Sequence, residues 1–256
     1  MSSLGEFAGK LAIVTGSAKQ NGIGYAIAVA LATAGADIVL HYNSNKAAAQ
    51  ESLAKIQNLG VKAIALQGDA SKLTFGDDIV KETLKAFPGR KIDIIVNNAG
   101  NALFHESVEK SPAEEFDAMF HPNVRGPYVL MQAALPYLAS PGGRIINIGS
   151  VVARNGTKFA NLYSASKGAV NSMTLGWAEE LGSKGITANV VAPGPIDTDY
   201  VAPADHPLSQ KFRSEQYIKR DGTTEEVANV VLFVASARSS FVTGQVLAVD
   251  GGLSYV

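Results

Sequence analysis

Leu11-Ala12-Ile13-Val14-Thr15-Gly16-Ser17-Ala18-Lys19-Gln20-Asn21-Gly22-Ile23-Gly24 is the stretch on which the fold turns. A short apolar, β-branched run breaks at Gly16, crosses a polar segment and enters a helical pattern from Ile23 to Ala34, stopped by Gly35. Strand, glycine-rich loop and helix start together bring backbone N–H groups and the positive end of a helix dipole to one spot, which suits a pyrophosphate. Glycine lets the backbone approach a ligand and adopt positive φ. A plain strand-to-helix turn also favours glycine. The position directly after the first strand favours the binding reading, with Gly16, Ser17, Lys19, Gly22, Ile23 and Gly24 as the contact residues.

Outward from this unit the same alternation repeats. Strand-like runs recur at Asp37 to Tyr42, Ala63 to Gln67, Asp93 to Asn97, Arg144 to Ile148, Thr187 to Val191 and Gln245 to Val249. Ile94-Ile95-Val96 and Ile145-Ile146 are continuous rather than alternating, as in strands buried on both faces of a parallel sheet. Helical patterns fall between them at Ala47 to Asn58, Asp77 to Phe87, Asn161 to Gly182 and Thr224 to Ser236, the last capped by Thr223 or Thr224. Ser111-Pro112 is expected to open another, as cap residue and first-turn proline. Seven strands with crossover helices predict an α/β fold: one doubly wound, parallel seven-stranded sheet of Rossmann type with helices on both faces, a single domain over 1–256. The connection 193–221 holds several prolines and charges and is longer than ordinary loops, so it is expected to be a substrate loop.

Composition narrows the function classes. The chain has 256 residues, 46% hydrophobic and 18% charged, with a net charge of -1, so it has ample material for a core and no basic footprint for nucleic acid or an anionic membrane. Cys is 0, which removes disulfides, thiol nucleophiles and Cys-ligated zinc, and four scattered His predict no metal site. Neither a secretory signal nor a membrane-length apolar run is visible, so a cytoplasmic location is expected.

The second strand ends in Leu40-His41-Tyr42-Asn43-Ser44-Asn45-Lys46 without a carboxylate. An acid there would bind the ribose 2′-hydroxyl of NAD. Neutral Tyr42, Asn43 and Ser44, with Lys46 and Lys19 nearby, tolerate a 2′-phosphate, so NADP (NADPH) is expected ahead of NAD; capping the next helix is the other use of these residues. Asp69 closes the third strand and suits an acceptor for the adenine amine, or a turn. The chemistry centres on Tyr163 and Lys167, four apart in a helical pattern and so on one face. A phenol is a weak acid at neutral pH, and a nearby ammonium, with the positive charge of an oxidised nicotinamide adding to it, is expected to draw it toward acid–base work on an alcohol or carbonyl. Ser150 ends the fifth strand, where open α/β sheets place their ligands, and Asn123 is a candidate anchor for a water relay to Lys167.

These pieces resemble the short-chain dehydrogenase/reductase family in the family's own order: Thr15-Gly16 to Gly24, Asp69, Asn97-Asn98-Ala99-Gly100, Asn123-Val124-Arg125-Gly126, Gly149-Ser150, Tyr163-x-x-x-Lys167 and Pro193-Gly194-Pro195-Ile196-x-Thr198. Val242-Thr243-Gly244-Gln245 to Val249-Asp250-Gly251-Gly252 is similar to 3-oxoacyl carrier-protein reductases and fungal polyketide ketoreductases. The resemblance implies a catalytic tetrad of Asn123, Ser150, Tyr163 and Lys167, with Lys167 also holding the nicotinamide ribose. It implies that Asn97, Asn98, Ala99 and Gly100 line the adenosine and ribose side of the cofactor, with Asn97 also a candidate structural residue. It implies further contacts from Ala70 and, around the nicotinamide, from Pro193, Gly194, Ile196 and Thr198. The implied reaction reduces a small-molecule ketone by transfer of the pro-S hydride, with Tyr163 as proton donor. A homodimer or homotetramer is implied as well, with Leu175, Trp177 and Leu181 as candidate contacts or ordinary core. An enoyl reductase fits less well, because such relatives place six residues between Tyr and Lys. The competing class is a cofactor-binding fold recruited to a non-redox cyclase, isomerase or regulator.

Three features depart from the family pattern. Five residues rather than three separate Gly16 from Gly22, His121-Pro122 precedes Asn123, and Pro195 stiffens the substrate loop. Among the histidines, His105 is a candidate to face substrate, His206 a solvated loop residue, and His41 and His121 structural. Phe104, Phe159 and Tyr200 are candidate pocket walls, and Arg154 and Lys158 border them.

Overall fold

A computed structural model describes residues 5–199 and 205–253. Tyr200 and part of the expected substrate loop lie outside the described residues. In chain order the elements are β1 (Leu11–Val14), α1 (Ile23–Thr33), β2 (Asp37–Tyr42), α2 (Lys46–Gln57), β3 (Ala63–Gln67), α3 (Phe75–Ala86), β4 (Ile94–Asn97), α4 (Glu115–Phe120), α5 (Gly126–Ala134), β5 (Arg144–Ile148), α6 (Val152–Asn155), α7 (Asn161–Leu181), β6 (Thr187–Pro193), α8 (Pro207–Glu215), α9 (Thr224–Ala235) and β7 (Val246–Val249). The seven strands form one parallel sheet in the order β3-β2-β1-β4-β5-β6-β7. This is the doubly wound α/β fold expected. The order reverses between β1 and β4, which opens a crevice above their carboxyl ends.

In the central strands, residues alternate between two separate cores. Ala12, Val14, Ile38, Leu40, Ile94 and Ile146 pack with Ile27 and Leu31 of α1 and with Val227 and Val231 of α9 on one face. Leu11, Ile13, Val39, Ile95 and Ile145 pack with Ile79 of α3, Leu130 of α5 and Trp177 and Leu181 of α7 on the other. Trp177 and Leu181 therefore belong to the core, leaving Leu175, at 56% exposure, as the member of that trio on the surface. Burial on both faces is why these strands read as unbroken apolar runs.

Two local expectations change. The helix assigned to Ser111-Pro112 begins later, at Glu115, because Pro112 and Ala113 first form tight turns that accept from the Glu115 and Phe116 N–H groups at 3.1 Å each. The 193–221 connection is not all loop: α8 lies inside it, opened by His206, whose Nδ1 accepts from the Leu208 N–H at 3.2 Å. Its two ends are tied by a parallel bridge between Ile196 and Gly222. At His121–Arg125 the helix widens into a π turn. Pro122 supplies no N–H and crowds the preceding carbonyl, and a wider turn relieves both.

Candidate active site

The crevice between β1 and β4 is bolted across its floor. Thr15 Oγ1 accepts from the N–H groups of Asn98 and Ala99 at 2.9 Å each. Asn98 Nδ2 donates back to the carbonyls of Thr15 and Gly16, again at 2.9 Å. Gly16 takes φ +64, and a Cβ on it would stand 2.9 Å from Ala99 Cα. On Gly24 a Cβ would stand 2.4 Å from Asn98 Nδ2. The glycines are thus required by close packing around Asn98, which was expected only to line the cofactor and here also ties the two strand ends together. Helix α1 starts at Gly22 with no side-chain cap and no acidic residue in its first turn. Its first N–H groups point out of the helix end, which suits an anion.

The expected cofactor residues divide into those that line this crevice and those spent elsewhere. Ser17 is fully buried, and its hydroxyl donates to the Val14 carbonyl at 2.7 Å. Lys19 lies 3.7 Å from Asp199, which also accepts from Asn21 Nδ2, while Gln20 meets Glu51 and Lys55. The lengthened part of the loop therefore reaches toward the 193–221 segment and α2. Asn43 and Ser44 are exposed at the end of β2, Tyr42 is buried, and Asn45 caps α2 by accepting from the Ala48 N–H at 3.0 Å. Asp69 forms a turn, its Oδ1 accepting from the Ser71 hydroxyl at 2.6 Å and N–H at 2.9 Å. Those bonds hold its carboxyl below the usual range. Ala70 is buried, with its carbonyl against Gly126.

Asn97 takes the structural one of its two expected roles. Its side chain turns into the interior, where Nδ2 donates to Asn147 Oδ1 at 2.8 Å and Asn147 donates on to Thr174 Oγ1 at 2.7 Å. A buried amide must find such partners, and here they join β4, β5 and α7 rather than face a ligand. Ile196 likewise commits its side chain to the core. Gly194 packs against Asp250, and Pro193 accepts from the Val151 N–H at 3.1 Å.

Above the end of β5 the four expected catalytic residues assemble from three elements. Tyr163 and Lys167 occupy successive turns of α7, with Lys167 Nζ 5.6 Å from the centre of the phenol ring. The Tyr163 side chain is hydrogen-bonded to that of Ser150, which also accepts from the Val152 N–H at 3.3 Å. Lys167 is buried and donates to the Ile148 carbonyl at 2.7 Å. In the protein alone, burial rather than the neighbouring ammonium dominates the phenol. Burial pushes Tyr163 up to about 12, opposed by the Ser150 hydrogen bond. Burial lowers Lys167 to about 8. Desolvation is the leading cause for both groups, and the ammonium spends a hydrogen bond on a strand carbonyl.

Asn123 is 1% exposed, inside the π turn. It clamps the loop after β4, accepting from the Asn101 N–H at 2.7 Å and donating to the Asn101 carbonyl at 2.9 Å. It also donates to Ser166 Oγ at 3.0 Å. A Cβ on Gly100 would stand 2.7 Å from its Oδ1. Asn101 and Ser166 were missed by sequence reasoning, since no motif marks them.

Three loops meet beside this centre. The His105 N–H donates to the Phe159 carbonyl at 2.8 Å, and the His105 ring lies 2.6 Å from Glu115. The Phe159 ring meets that of His206 edge-on, with centroids 5.5 Å apart. His105 thus ties the β4–α4 loop to the β5–α7 loop, and His206 brings the 193–221 segment onto both. His121 lies 3.5 Å from Asp117 on its own helix, away from these contacts.

A sheet with this switch point, this glycine loop and a hydroxyl pair beside a buried lysine defines the class of dinucleotide-binding oxidoreductases. Comparison with known proteins sharpens that. The family profile described as Enoyl-(Acyl carrier protein) reductase matches residues 16–254. The short chain dehydrogenase/reductase AacuN of Aspergillus aculeatus is 38% identical over 96% of this chain and 96% of its own length. A short chain dehydrogenase from Burkholderia cenocepacia, solved in complex with NADP, superposes with a TM-score of 0.90 at 38% identity, covering 97% of this chain and 99% of that one. The landomycin C-6 ketoreductase LanV, solved with NADP and rabelomycin, superposes with a TM-score of 0.88 at 32% identity, covering 97% and 98%. The chain belongs to the short-chain dehydrogenase/reductase family and is an oxidoreductase. Among the described residues no helix is long and apolar enough to cross a membrane.

Proposed function

We propose that this protein is an NADP-dependent reductase that converts a ketone to an alcohol. The observation that carries the reading is the placement of Tyr163 beside the Ser150 hydroxyl at the end of β5, with Lys167 one helical turn further on. The residues fit a dinucleotide: α1 presents an uncapped N-terminus to the crevice, and the end of β2 carries Asn43 and Ser44 where NAD-binding folds place an acid. Relatives solved with NADP support the phosphorylated form. The cofactor, when bound, supplies the hydride.

The chain's own residues position the substrate and move the proton. Ser150 holds the substrate oxygen beside Tyr163. The phenol donates its proton to that oxygen as negative charge develops there. Lys167 holds the nicotinamide ribose and offsets charge on the phenol. Asn123 keeps the loop after β4 and the middle of α7 in fixed relation. Phe104, 39% exposed, and Phe159 wall the approach.

The test is NADPH oxidation by the purified protein against a panel of ketones, with Tyr163→Phe as the variant. Loss of roughly 10²- to 10⁴-fold in turnover is expected for a removed general acid. Retained turnover in that variant refutes the assignment. The family profile's enoyl description raises reduction of a carbon–carbon double bond. Three residues between Tyr163 and Lys167, rather than six, oppose it, so no consumption of NADPH with enoyl thioesters is expected.

A further inference from the structure

We propose that His41 is a positioning residue for the cofactor: its ring joins the first glycine of the loop after β1 to the Gly68–Asp69 turn after β3, the two walls between which the adenosine half of a dinucleotide would lie. The inference rests on the dinucleotide-binding reading above and concerns a group to which neither fold nor chemistry had given a task.

His41 is the second-last residue of β2 and is 1% exposed. Its Nδ1 lies 3.0 Å from the Gly16 N–H and its Nε2 lies 3.1 Å from the Gly68 carbonyl. An amide N–H only donates and a carbonyl only accepts. Nδ1 must therefore be bare and Nε2 must carry the hydrogen, so one neutral tautomer satisfies both walls and the imidazolium cannot. The His41 backbone completes the junction: its N–H donates to Ser17 Oγ at 3.2 Å, and its carbonyl accepts from the Ser17 N–H at 3.0 Å.

The surroundings hold the ring neutral. Phe75 of α3 meets it edge-on at 5.0 Å between centroids. The glycine loop offers Gly16 and Ser17, and β3 offers Gly68, all uncharged. Asp69, from the β3–α3 turn, favours the proton, as does the bond to the Gly68 carbonyl. Burial outweighs both and pushes the ring down to about 4. A leucine or phenylalanine would fill the same space as a core residue. Neither could accept from the Gly16 N–H.

The experiment measures the dissociation constant of NADP+ at pH 7, and kcat at saturating NADPH, for wild type, His41→Leu and His41→Asn. Leucine removes both ring bonds. Asparagine keeps an acceptor near Gly16 and loses the arm to Gly68. Weakening of about tenfold is expected for leucine and about threefold for asparagine, with kcat at saturation changed less than threefold in each. Where the leucine variant does not fold, the asparagine variant decides alone. NADP+ bound as tightly by the folded variants as by wild type overturns the proposal. So does a fall in kcat as large as the loss of affinity, the mark of general structural damage. A wild type that binds neither NADP+ nor NAD+ overturns the dinucleotide reading, and the positioning role with it. A wild type that binds but is indifferent to His41 overturns the positioning role alone.

Discussion

Gly76→Ala offers a sharp test of how the helices over one sheet face are set. Gly76 lies in the first turn of α3, where that helix crosses α5. A Cβ built on it would stand 2.1 Å from the Val129 carbonyl oxygen, 2.5 Å from the Val129 carbonyl carbon and 2.8 Å from the Leu130 nitrogen. All three are backbone atoms, so no side-chain rotation relieves the clash; α3 and α5 must move apart by roughly an ångström. Overpacking of this kind costs about 1–3 kcal/mol, and backbone contacts belong at the upper end. Alanine returns about 1 kcal/mol through its helix propensity. The net is a loss of about 2 kcal/mol, or roughly 4–8 °C in Tm for a chain near this size. Gly176, in α7, is the control, because nothing lies within 4 Å of its built Cβ. Gly176→Ala should gain about 0.5–1 kcal/mol by propensity alone. Thermal and urea unfolding of both variants reads the two signs. Because α5 continues directly from the π turn holding Asn123, Gly76→Ala should lower kcat as well. A Gly76→Ala protein as stable as wild type refutes the close approach of α3 and α5.

Two further outcomes follow from burial. Lys167 has its pKa depressed by desolvation, to about 8. Its folded-state penalty is therefore complete below that pH and vanishes as pH rises through the ordinary lysine value near 10.4. In the ligand-free protein this group makes stability rise between about pH 8 and 10, and Lys167→Met should flatten that rise in urea titrations while abolishing NADPH oxidation. An unchanged slope would show that the ammonium is solvated. Leu175 and Tyr128, at 56% and 49% exposure on α7 and α5, are candidate contacts of a homodimer or homotetramer. Light scattering should show an assembly that Leu175→Glu weakens, and a monomeric wild type would contradict it.

The strands and their turns were legible because each is a β-branched run ended by glycine or a polar cluster, and burial on both faces left no competing pattern. Asn161 to Gly182 was read within one residue of α7 for a similar reason: nothing breaks its helical period until Gly182. The region from Ser111 to Arg125 was harder. There Pro112 and Pro122 act through carbonyl geometry, one delaying a helix and the other widening it, and single-sequence patterns carry no such information. For the site, motif order brought Ser150, Tyr163 and Lys167 together correctly, since a strand end and one helix face suffice to place them. The choice between the two roles of Asn97 was not legible, because its partners, Asn147 and Thr174, lie 50 and 77 positions along the chain. Thr15, Asn98 and Asn101 act through bonds to distant backbone, which no spacing rule encodes.

The electrostatics of Tyr163 bear on the direction of the reaction. From spacing alone, Lys167 was expected to draw the phenol toward its anion. In the protein alone, Lys167 is hydrogen-bonded to the Ile148 carbonyl, and burial keeps the phenol protonated up to about 12. A protonated phenol beside Ser150 is ready to give a proton to a carbonyl oxygen that gains charge. Alcohol oxidation needs the opposite, a phenolate that accepts one, and at neutral pH that form is scarce unless further positive charge arrives close to the ring. Lys167 Nζ, 5.6 Å from the ring centre, and the positive charge of an oxidised nicotinamide are the two sources expected to favour that phenolate, so one phenol can serve both directions with its protonation matched to the cofactor's redox state.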